Sequence, residues 1–130
     1  YEELEKADII VSSLPGSKST YHLLNEEALT HVKKQPIFVN VGRGTLMDSN
    51  VLEKALKENI FSGAYIDVTD PEPLPKDSSL WNTNNLIITP HVTGGYHLDE
   101  TLNRIVQISA TNIKNYCEGK KIINRVNLED

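Results

Sequence analysis

Residues 37–68, IFVNVGRGTLMDSNVLEKALKENIFSGAYIDV, contain two short apolar runs separated by a segment with helical periodicity. The runs IFVNV (37–41) and GAYIDV (63–68) are typical of buried β-strands. Between them, DSNVLEKALKEN (48–59) begins with the capping residues Asp48 and Ser49. The helix that this segment predicts would bury Val51, Leu52, Ala55 and Leu56. A strand, a helix and a second strand in this order favour a parallel pair joined by a crossover helix.

The same alternation continues on both sides of this unit. We expect further strands in ADIIVSSLP (7–15) and NLIIT (85–89), and further helices in LLNEEALTHVKKQP (23–36) and from about Leu98 to Cys117. Asn25 is the expected cap of the first of these helices. Because the strand segments are continuously apolar, they are expected to be buried on both faces. The predicted fold class is therefore α/β, with a parallel sheet of about four strands and flanking helices.

The last predicted helix carries apolar residues at helical spacing, and Gly119 is placed to end it. Cys117 is expected at a core position of this helix, as a small hydrophobic residue. The apolar positions of the helix are Leu102, Ile105, Val106, Ile113 and Tyr116.

The composition indicates which partners and which cellular compartment to expect. The 130 residues carry a net charge of −5 and no block of Lys or Arg, so neither nucleic acid nor an anionic membrane is an expected partner. The chain has one cysteine, which excludes an internal disulfide and suits a reducing, cytoplasmic location. No apolar run approaches the roughly 18 residues that a membrane helix needs. The opening YEELEKAD (1–8) resembles the end of a helix already under way, so we expect the chain to be a fragment.

Three chemically distinct side chains follow three of the predicted strands. Arg43 lies between two glycines after the second strand, Glu72 between two prolines after the third, and His91 directly after the fourth. The carboxyl ends of parallel strands share one edge of a sheet, where ligands of such folds bind. Each residue also has a purely structural interpretation: a tight bend with a solvated arginine, a surface carboxylate on a rigid loop, and a packed histidine.

Together the three side chains suit the interconversion of a carbonyl and an alcohol. An arginine can donate two hydrogen bonds to a carboxylate or a polarised carbonyl, and a histidine can deliver or accept the accompanying proton. A carboxylate on the far ring nitrogen would fix the tautomer of the histidine and favour its protonated form. Because none of these groups carries hydride, a redox reaction would require a cofactor.

The segments ADIIVSSLP, NVGRGTLMDSNVLEKAL, GAYIDVTDPEPLP and LWNTNNLIITPHVTGG resemble the NAD-binding domain of the D-isomer-specific 2-hydroxyacid dehydrogenases. This family includes D-3-phosphoglycerate dehydrogenases and glyoxylate/hydroxypyruvate reductases. The resemblance implies that Arg43 binds the carboxylate and carbonyl of a 2-keto acid, that His91 is the acid/base, and that Glu72 pairs with His91. It also implies a partial Rossmann-type sheet, NAD or NADP as cofactor, and a homodimer. The implied cofactor-binding residues are Leu14, Pro15, Val41, Gly42, Arg43, Asp67, His91 and Gly94.

The chain departs from the family pattern mainly by what it lacks. It contains no G-x-G-x-x-G and no following strand with an acidic ribose ligand. Position 69 is Thr, where many relatives have an aromatic residue. Residues 1–118 are therefore expected to form the C-terminal part of a dinucleotide-binding domain, and residues 119–130 a tail returning toward a substrate domain. Alone, these residues are expected to be inactive, to bind NAD poorly, and to self-associate through the uncovered edge of the first strand.

Two alternatives to an oxidoreductase remain open from the sequence. Non-enzymatic corepressors that bind NAD(H) through the same fold could retain the same three side chains. A small α/β binding domain without a redox role would also fit the alternation of strands and helices.

Overall fold

Four parallel strands form one sheet within the part of the chain that the structure, a computed structural model, describes: residues 1–95 and 98–125. The strands pair in chain order, with Ile9 opposite Ile37 and Ala64 opposite Leu86. They are β1 (Ile9–Ser12), β2 (Ile37–Asn40), β3 (Gly63–Ile66) and β4 (Leu86–Ile88). The predicted parallel α/β sheet is confirmed.

The described helices connect the strands or follow them. They are α1 (Glu26–Thr30), α2 (Ser49–Lys57) and α3 (Asp99–Cys117), with short 3₁₀ helices at Glu2–Glu5, Gly44–Leu46 and Ser79–Asn82. Both predicted caps are confirmed: Asn25 accepts a hydrogen bond from Ala28 N at 3.0 Å, and Asp48 accepts one from Asn50 N at 2.8 Å. Helix α1 is much shorter than its sequence segment, because the chain leaves helical geometry after Thr30.

The core lies on one face of the sheet, beneath α1 and α2. Phe38, Ala64 and Ile66 of the strands are at most 5% exposed. Leu29 of α1 belongs to the same buried cluster, as do Leu52, Ala55 and Leu56 of α2. Val51, also predicted to be buried, is partly buried and packs against this cluster. Burial of the apolar stripe of α2 is thus the interaction that holds the helix on the sheet.

The opposite face of the sheet is apolar and exposed. Ile9, Val11, Ile37 and Ile87 are 60%, 65%, 47% and 62% exposed, and all project from the side away from the core. The prediction that the strands are buried on both faces is therefore wrong for this chain. The continuous apolar runs require cover on two sides, and the cluster containing α1 and α2 supplies it on one side only.

The chain divides into two units, Tyr1–His91, which contains the sheet, and Val92–Asp130, which contains α3. Cys117 is exposed rather than in a core, and no residue described in α3 is buried. The prediction for Cys117 is wrong because helical spacing identifies an apolar stripe but not the surface that covers it. None of the described helices is long and apolar enough to cross a membrane.

Helix α3 ends as predicted at Gly119, which has φ +67°. The Gly119 N–H donates to Tyr116 O and the Lys120 N–H to Asn115 O, the pair of bonds that defines a Schellman motif. The chain then runs back beside the helix. The Asn112 amide donates to Ile123 O at 3.0 Å and accepts from Ile123 N at 2.9 Å. Residues 126–130 of the predicted tail lie outside the described residues.

Glu53 of α2 forms an ion pair within its own helix and a hydrogen bond with the 3₁₀ helix before β4. Lys57 Nζ lies 2.6 Å from Glu53 Oε1, and Ser79 Oγ donates to Glu53 Oε2 at 2.9 Å. Hydrogen bonding by Lys57, reinforced by Ser79, holds the pKa of Glu53 below its usual 4.5. A carboxyl group whose pKa is lowered by folding stabilises the protein above its ordinary pKa and loses that effect as the pH falls through the lowered value.

We predict that Lys57→Met moves the titration of Glu53 up toward 4.5 and destabilises the protein at neutral pH. The difference in the free energy of unfolding between the variant and wild type should shrink as the pH falls below the pKa of Glu53 in the wild type, because both proteins then carry a protonated Glu53. NMR titration of the carboxyl carbon and urea unfolding at several pH values measure the two effects. Lys76→Met, at an exposed position in a loop, is the matched control. An unchanged Glu53 titration in the Lys57 variant would contradict the assignment.

Candidate functional site

The structure brings Glu72 and His91 together beyond the carboxyl ends of β3 and β4. His91 Nδ1 lies 2.7 Å from Glu72 Oε1, and the two side chains are 42% and 40% exposed. His91 adopts φ +52°, a conformation that is uncommon for a residue other than glycine. With Nδ1 engaged by the carboxylate, Nε2 is the ring nitrogen left to exchange a proton with a ligand.

Arg43 occupies the turn beyond β2, at the same edge of the sheet. Its guanidinium donates to Gly42 O at 2.7 Å, and no carboxylate of the described residues lies within ion-pair distance of it. The backbone of the turn is held by Asn40, a buried residue at the end of β2. The Asn40 amide donates to Arg43 O at 2.9 Å and accepts from Gly42 N at 3.1 Å. The turn is thus anchored through its backbone while the arginine side chain is exposed.

The glycines on either side of Arg43 allow neighbouring loops to approach closely. A Cβ at Gly42 would lie 2.5 Å from Leu14 O, in the loop after β1. A Cβ at Gly44 would lie 2.1 Å from the carbonyl group of Thr69, in the loop after β3. Both distances are shorter than a Cβ tolerates against backbone. The G-R-G turn therefore touches the backbones of two other strand-end loops, which goes beyond the tight bend that sequence alone suggests.

Asp67 lies directly after β3 and is 1% exposed. Its Oδ1 accepts a hydrogen bond from Thr89 Oγ1 at 2.5 Å, and the Tyr65 hydroxyl lies 2.8 Å from the same Thr89 oxygen. Sequence reasoning selected Asp67 but missed Thr89, Tyr65 and Asn40. Asn40 had a signal, as a polar residue in an apolar strand, whereas the contacts of Thr89 depend on the register between β3 and β4.

A cavity of about 390 Å³ is lined by Glu72 and by Pro90, the residue before His91. Asp67 and Glu72 contribute carboxylates to its lining, and Trp81, Ile88 and Pro90 contribute apolar surface. Its volume lies in the range of small-molecule sites. A larger cavity of about 510 Å³ lies at the amino end of β4, beside Asn84 and Asn85, and is lined by none of the candidate residues.

The remaining residues selected as cofactor ligands lie in strand-end loops or in the second unit. Leu14 and Pro15 follow β1, and Val41 donates its N–H to Ser12 O at the same edge of the sheet. Gly94, in the second unit, has φ +78°, and among the described residues no atom beyond its chain neighbours lies within 4 Å of a Cβ built on it. Within the described residues, no cluster of His, Cys, Asp and Glu is arranged to bind a metal ion.

Comparison with known proteins identifies the family. Residues 1–93 match the NAD-binding domain of the D-isomer specific 2-hydroxyacid dehydrogenases. The chain belongs to this family. A glyoxylate reductase of Korarchaeum cryptofilum is 36% identical over 126 residues, which are 97% of this chain and 37% of the relative. An (S)-sulfolactate dehydrogenase of Chromohalobacter salexigens is 38% identical over 111 residues, 85% of this chain and 35% of that protein.

Solved structures of the family share the fold. A D-isomer specific 2-hydroxyacid dehydrogenase of Xanthobacter autotrophicus Py2, in complex with NADPH and MES, superimposes with a TM-score of 0.80 at 32% identity. The match covers 95% of this chain and 50% of that one. The chain thus spans between about a third and a half of the length of these relatives. Membership in the family disfavours a small α/β binding domain without a redox role, and the dehydrogenase and reductase names of the relatives do not favour a corepressor.

We predict that Gly44→Ala destabilises the full-length protein and Gly63→Ala does not. A Cβ at position 44 overlaps the backbone of Thr69, so the loop that carries Glu72 must move, at a cost on the order of 1–3 kcal/mol. A Cβ at position 63 meets its nearest atom at 3.4 Å, an ordinary contact. Urea unfolding of both variants measures the difference. Equal unfolding midpoints in the two variants would show that the loops do not need this close approach.

Proposed function

We propose that the enzyme containing this chain interconverts 2-keto acids and D-2-hydroxy acids with NAD or NADP as cofactor. In the direction of reduction, hydride adds to C2 of the keto acid and a proton adds to its carbonyl oxygen, giving the hydroxy acid and the oxidised cofactor. The observation that carries the proposal is the 2.7 Å contact between His91 Nδ1 and Glu72, at the ligand-binding edge of a domain of this family.

His91 is proposed as the acid/base. Glu72 accepts a hydrogen bond from Nδ1, which fixes the tautomer and orientation of the ring and leaves Nε2 for the reacting oxygen. In reduction, Nε2–H donates its proton to the oxygen of C2. In oxidation, the neutral ring accepts the hydroxyl proton. Glu72 is thus a positioning residue that acts through His91.

Arg43 is proposed to bind the carboxylate and carbonyl oxygens of the substrate. Its guanidinium is planar and can donate two parallel hydrogen bonds, and no described carboxylate neutralises it. Glyoxylate and hydroxypyruvate are the first substrates to assay, because reductases with these names are among the relatives and SSLW (78–81) resembles such members.

The residues present fit a nicotinamide cofactor. Asp67 places a buried carboxylate, an acceptor suited to a carboxamide, at the end of β3. Backbone groups of Leu14 and Pro15, the turn from Val41 to Arg43, His91 and Gly94 are proposed to hold the rest of the dinucleotide. When bound, the nicotinamide supplies or accepts the hydride that none of these side chains can carry.

Domain organisation, assembly and location complete the proposal. Residues 1–118 would form part of the dinucleotide-binding domain, and residues 119–130 would return toward a substrate domain. A homodimer is proposed because α3 exposes an apolar stripe that includes Leu102, Ile105 and Val106, a surface of the kind that partners cover. A cytoplasmic location is proposed because one cysteine in 130 residues suits a reducing compartment.

We predict that Arg43→Lys lowers kcat/KM for 2-keto acids at least about tenfold, a loss of about 1.4 kcal/mol in transition-state stabilisation. Lysine keeps the charge but cannot donate two hydrogen bonds in a fixed plane. Steady-state kinetics of the full-length enzyme measure the effect. Arg104→Lys, on the exposed surface of α3, is the matched control and should change kcat/KM less than about twofold. Activity of the Arg43 variant within about twofold of wild type would refute the assigned role.

We predict that Glu72→Gln lowers kcat for keto-acid reduction at least about tenfold, a loss of about 1.4 kcal/mol in transition-state stabilisation. A glutamine amide can donate as well as accept, so it no longer fixes which ring nitrogen of His91 carries the hydrogen. The measurement is steady-state kcat and KM, with a deuterated cofactor used to verify that hydride transfer limits the rate. Glu5→Gln is the matched control, since Glu5 lies 3.5 Å from His31, away from the strand-end loops. A kcat of the Glu72 variant within about twofold of wild type would show that the pair is not coupled in catalysis.

A further inference from the structure

Two hydroxyl groups connect to the buried carboxylate at the end of β3. Tyr65 lies in β3 and Asp67 directly follows this strand, two residues further on, so their side chains project to the same side of the sheet. Thr89 follows β4, the neighbouring strand, and its Oγ1 contacts both side chains, at 2.8 Å from Tyr65 Oη and 2.5 Å from Asp67 Oδ1. Thr89 therefore bridges Tyr65 in β3 and Asp67 just after it.

The chemistry of the three groups sets the direction of these hydrogen bonds. A threonine hydroxyl has one hydrogen, and Thr89 donates it to Asp67 Oδ1. The Thr89 oxygen is then an acceptor toward Tyr65, whose hydroxyl must be the donor. The result is a chain from the Tyr65 hydroxyl through Thr89 to Asp67, in which each bond polarises the next.

The backbone of Thr89 is itself firmly placed. Its N–H donates to Ile66 O at 3.0 Å, which continues the ladder between β3 and β4, and its carbonyl accepts from His91 N at 3.1 Å. The Thr89 hydroxyl is consequently held in register with Asp67 by the sheet. A substitution that removes the hydroxyl leaves these backbone bonds intact, so the position of His91 should not depend on it.

We propose that Thr89 and Tyr65 are positioning residues that orient the Asp67 carboxylate toward the carboxamide of the nicotinamide. This inference rests on the cofactor role proposed for Asp67. Neither Thr89 nor Tyr65 needs to touch the cofactor. Thr89 restricts rotation of the carboxyl group by occupying Oδ1, and Tyr65 strengthens that hydrogen bond by donating to the Thr89 oxygen.

The test compares two ligands that differ by the nicotinamide. Isothermal titration of the full-length enzyme measures the Kd of NADH and of ADP-ribose, or of NADPH and 2′-phospho-ADP-ribose for an NADP-dependent enzyme. Thr89→Val should weaken binding of the reduced dinucleotide about tenfold, the scale of one hydrogen bond. Tyr65→Phe, which keeps the bond between Thr89 and Asp67, should weaken it about threefold. Both variants should bind ADP-ribose as wild type does, and Thr89→Ser should restore dinucleotide binding.

Controls separate positioning from a general loss of structure. Thr83→Val removes a hydroxyl that donates to Ser79 O at 3.1 Å, outside the site, and should leave both Kd values unchanged. The pH profile of reduction should also be unchanged in Tyr65→Phe, since the backbone contacts of His91 are retained. The proposal would be overturned if the Thr89 and Tyr65 variants bound the dinucleotide and ADP-ribose equally more weakly than wild type, or bound both as wild type does.

Asp67→Asn distinguishes this inference from the proposed function. If Asp67→Asn weakens NADH binding while Thr89→Val and Tyr65→Phe do not, the positioning role is wrong and the cofactor role of Asp67 stands. If Asp67→Asn leaves NADH binding unchanged, the cofactor role of Asp67 is wrong, and the positioning role is overturned with it.

Discussion

All four strands of this sheet pair in parallel. After each strand, the chain must therefore cross back to the edge of the sheet where strands begin before it can form the next strand. The return segments contain α1, α2 and two short 3₁₀ helices, whose apolar side chains pack against the strands in the core. The same geometry delivers the residues that follow each strand to one edge. Arg43, Asp67 and His91 lie at one edge of the sheet for this reason, although 47 residues lie between the first and the last.

Bringing strand ends to one edge does not by itself bring their loops into contact. Contact requires the backbones of the loops to approach closely. Gly42 and Gly44 permit this approach because neither residue has a Cβ atom. Asn40 then satisfies the polar groups of the turn from within the sheet, through one donated and one accepted hydrogen bond. A buried amide and two glycines thus position a turn whose arginine side chain remains exposed.

Local signals predicted the features that depend on neighbours in sequence. The caps at Asn25 and Asp48, the end of α3 at Gly119 and the existence of each strand all follow from short-range chemistry. Features that depend on residues distant in sequence but close in space could not be predicted from these local signals. The exposure of Ile9 and Cys117 depends on what covers them, which no pattern within the segment specifies.

The candidate site shows the same division. The contact of Glu72 with His91 was anticipated because both follow strands and because the family resemblance pairs them. The bridge from Thr89 to Asp67 and Tyr65 was missed because it requires the register of β3 against β4. A slip of one residue would turn the Thr89 side chain to the other face of the sheet and remove both contacts.

The hydrogen bonds of Asn112 have a consequence for the chemical ageing of the protein. One side-chain amide both donates to and accepts from the backbone of Ile123, as a neighbouring strand would. Hydrolysis of that amide to a carboxylate would leave two acceptors facing the Ile123 carbonyl and abolish the donor. The path of the segment after α3 therefore depends on an intact Asn112 amide, together with the Asn115 amide, which donates to Lys121 O at 3.0 Å. The bulky side chain of Ile113 hinders the backbone attack that leads to deamidation of Asn112.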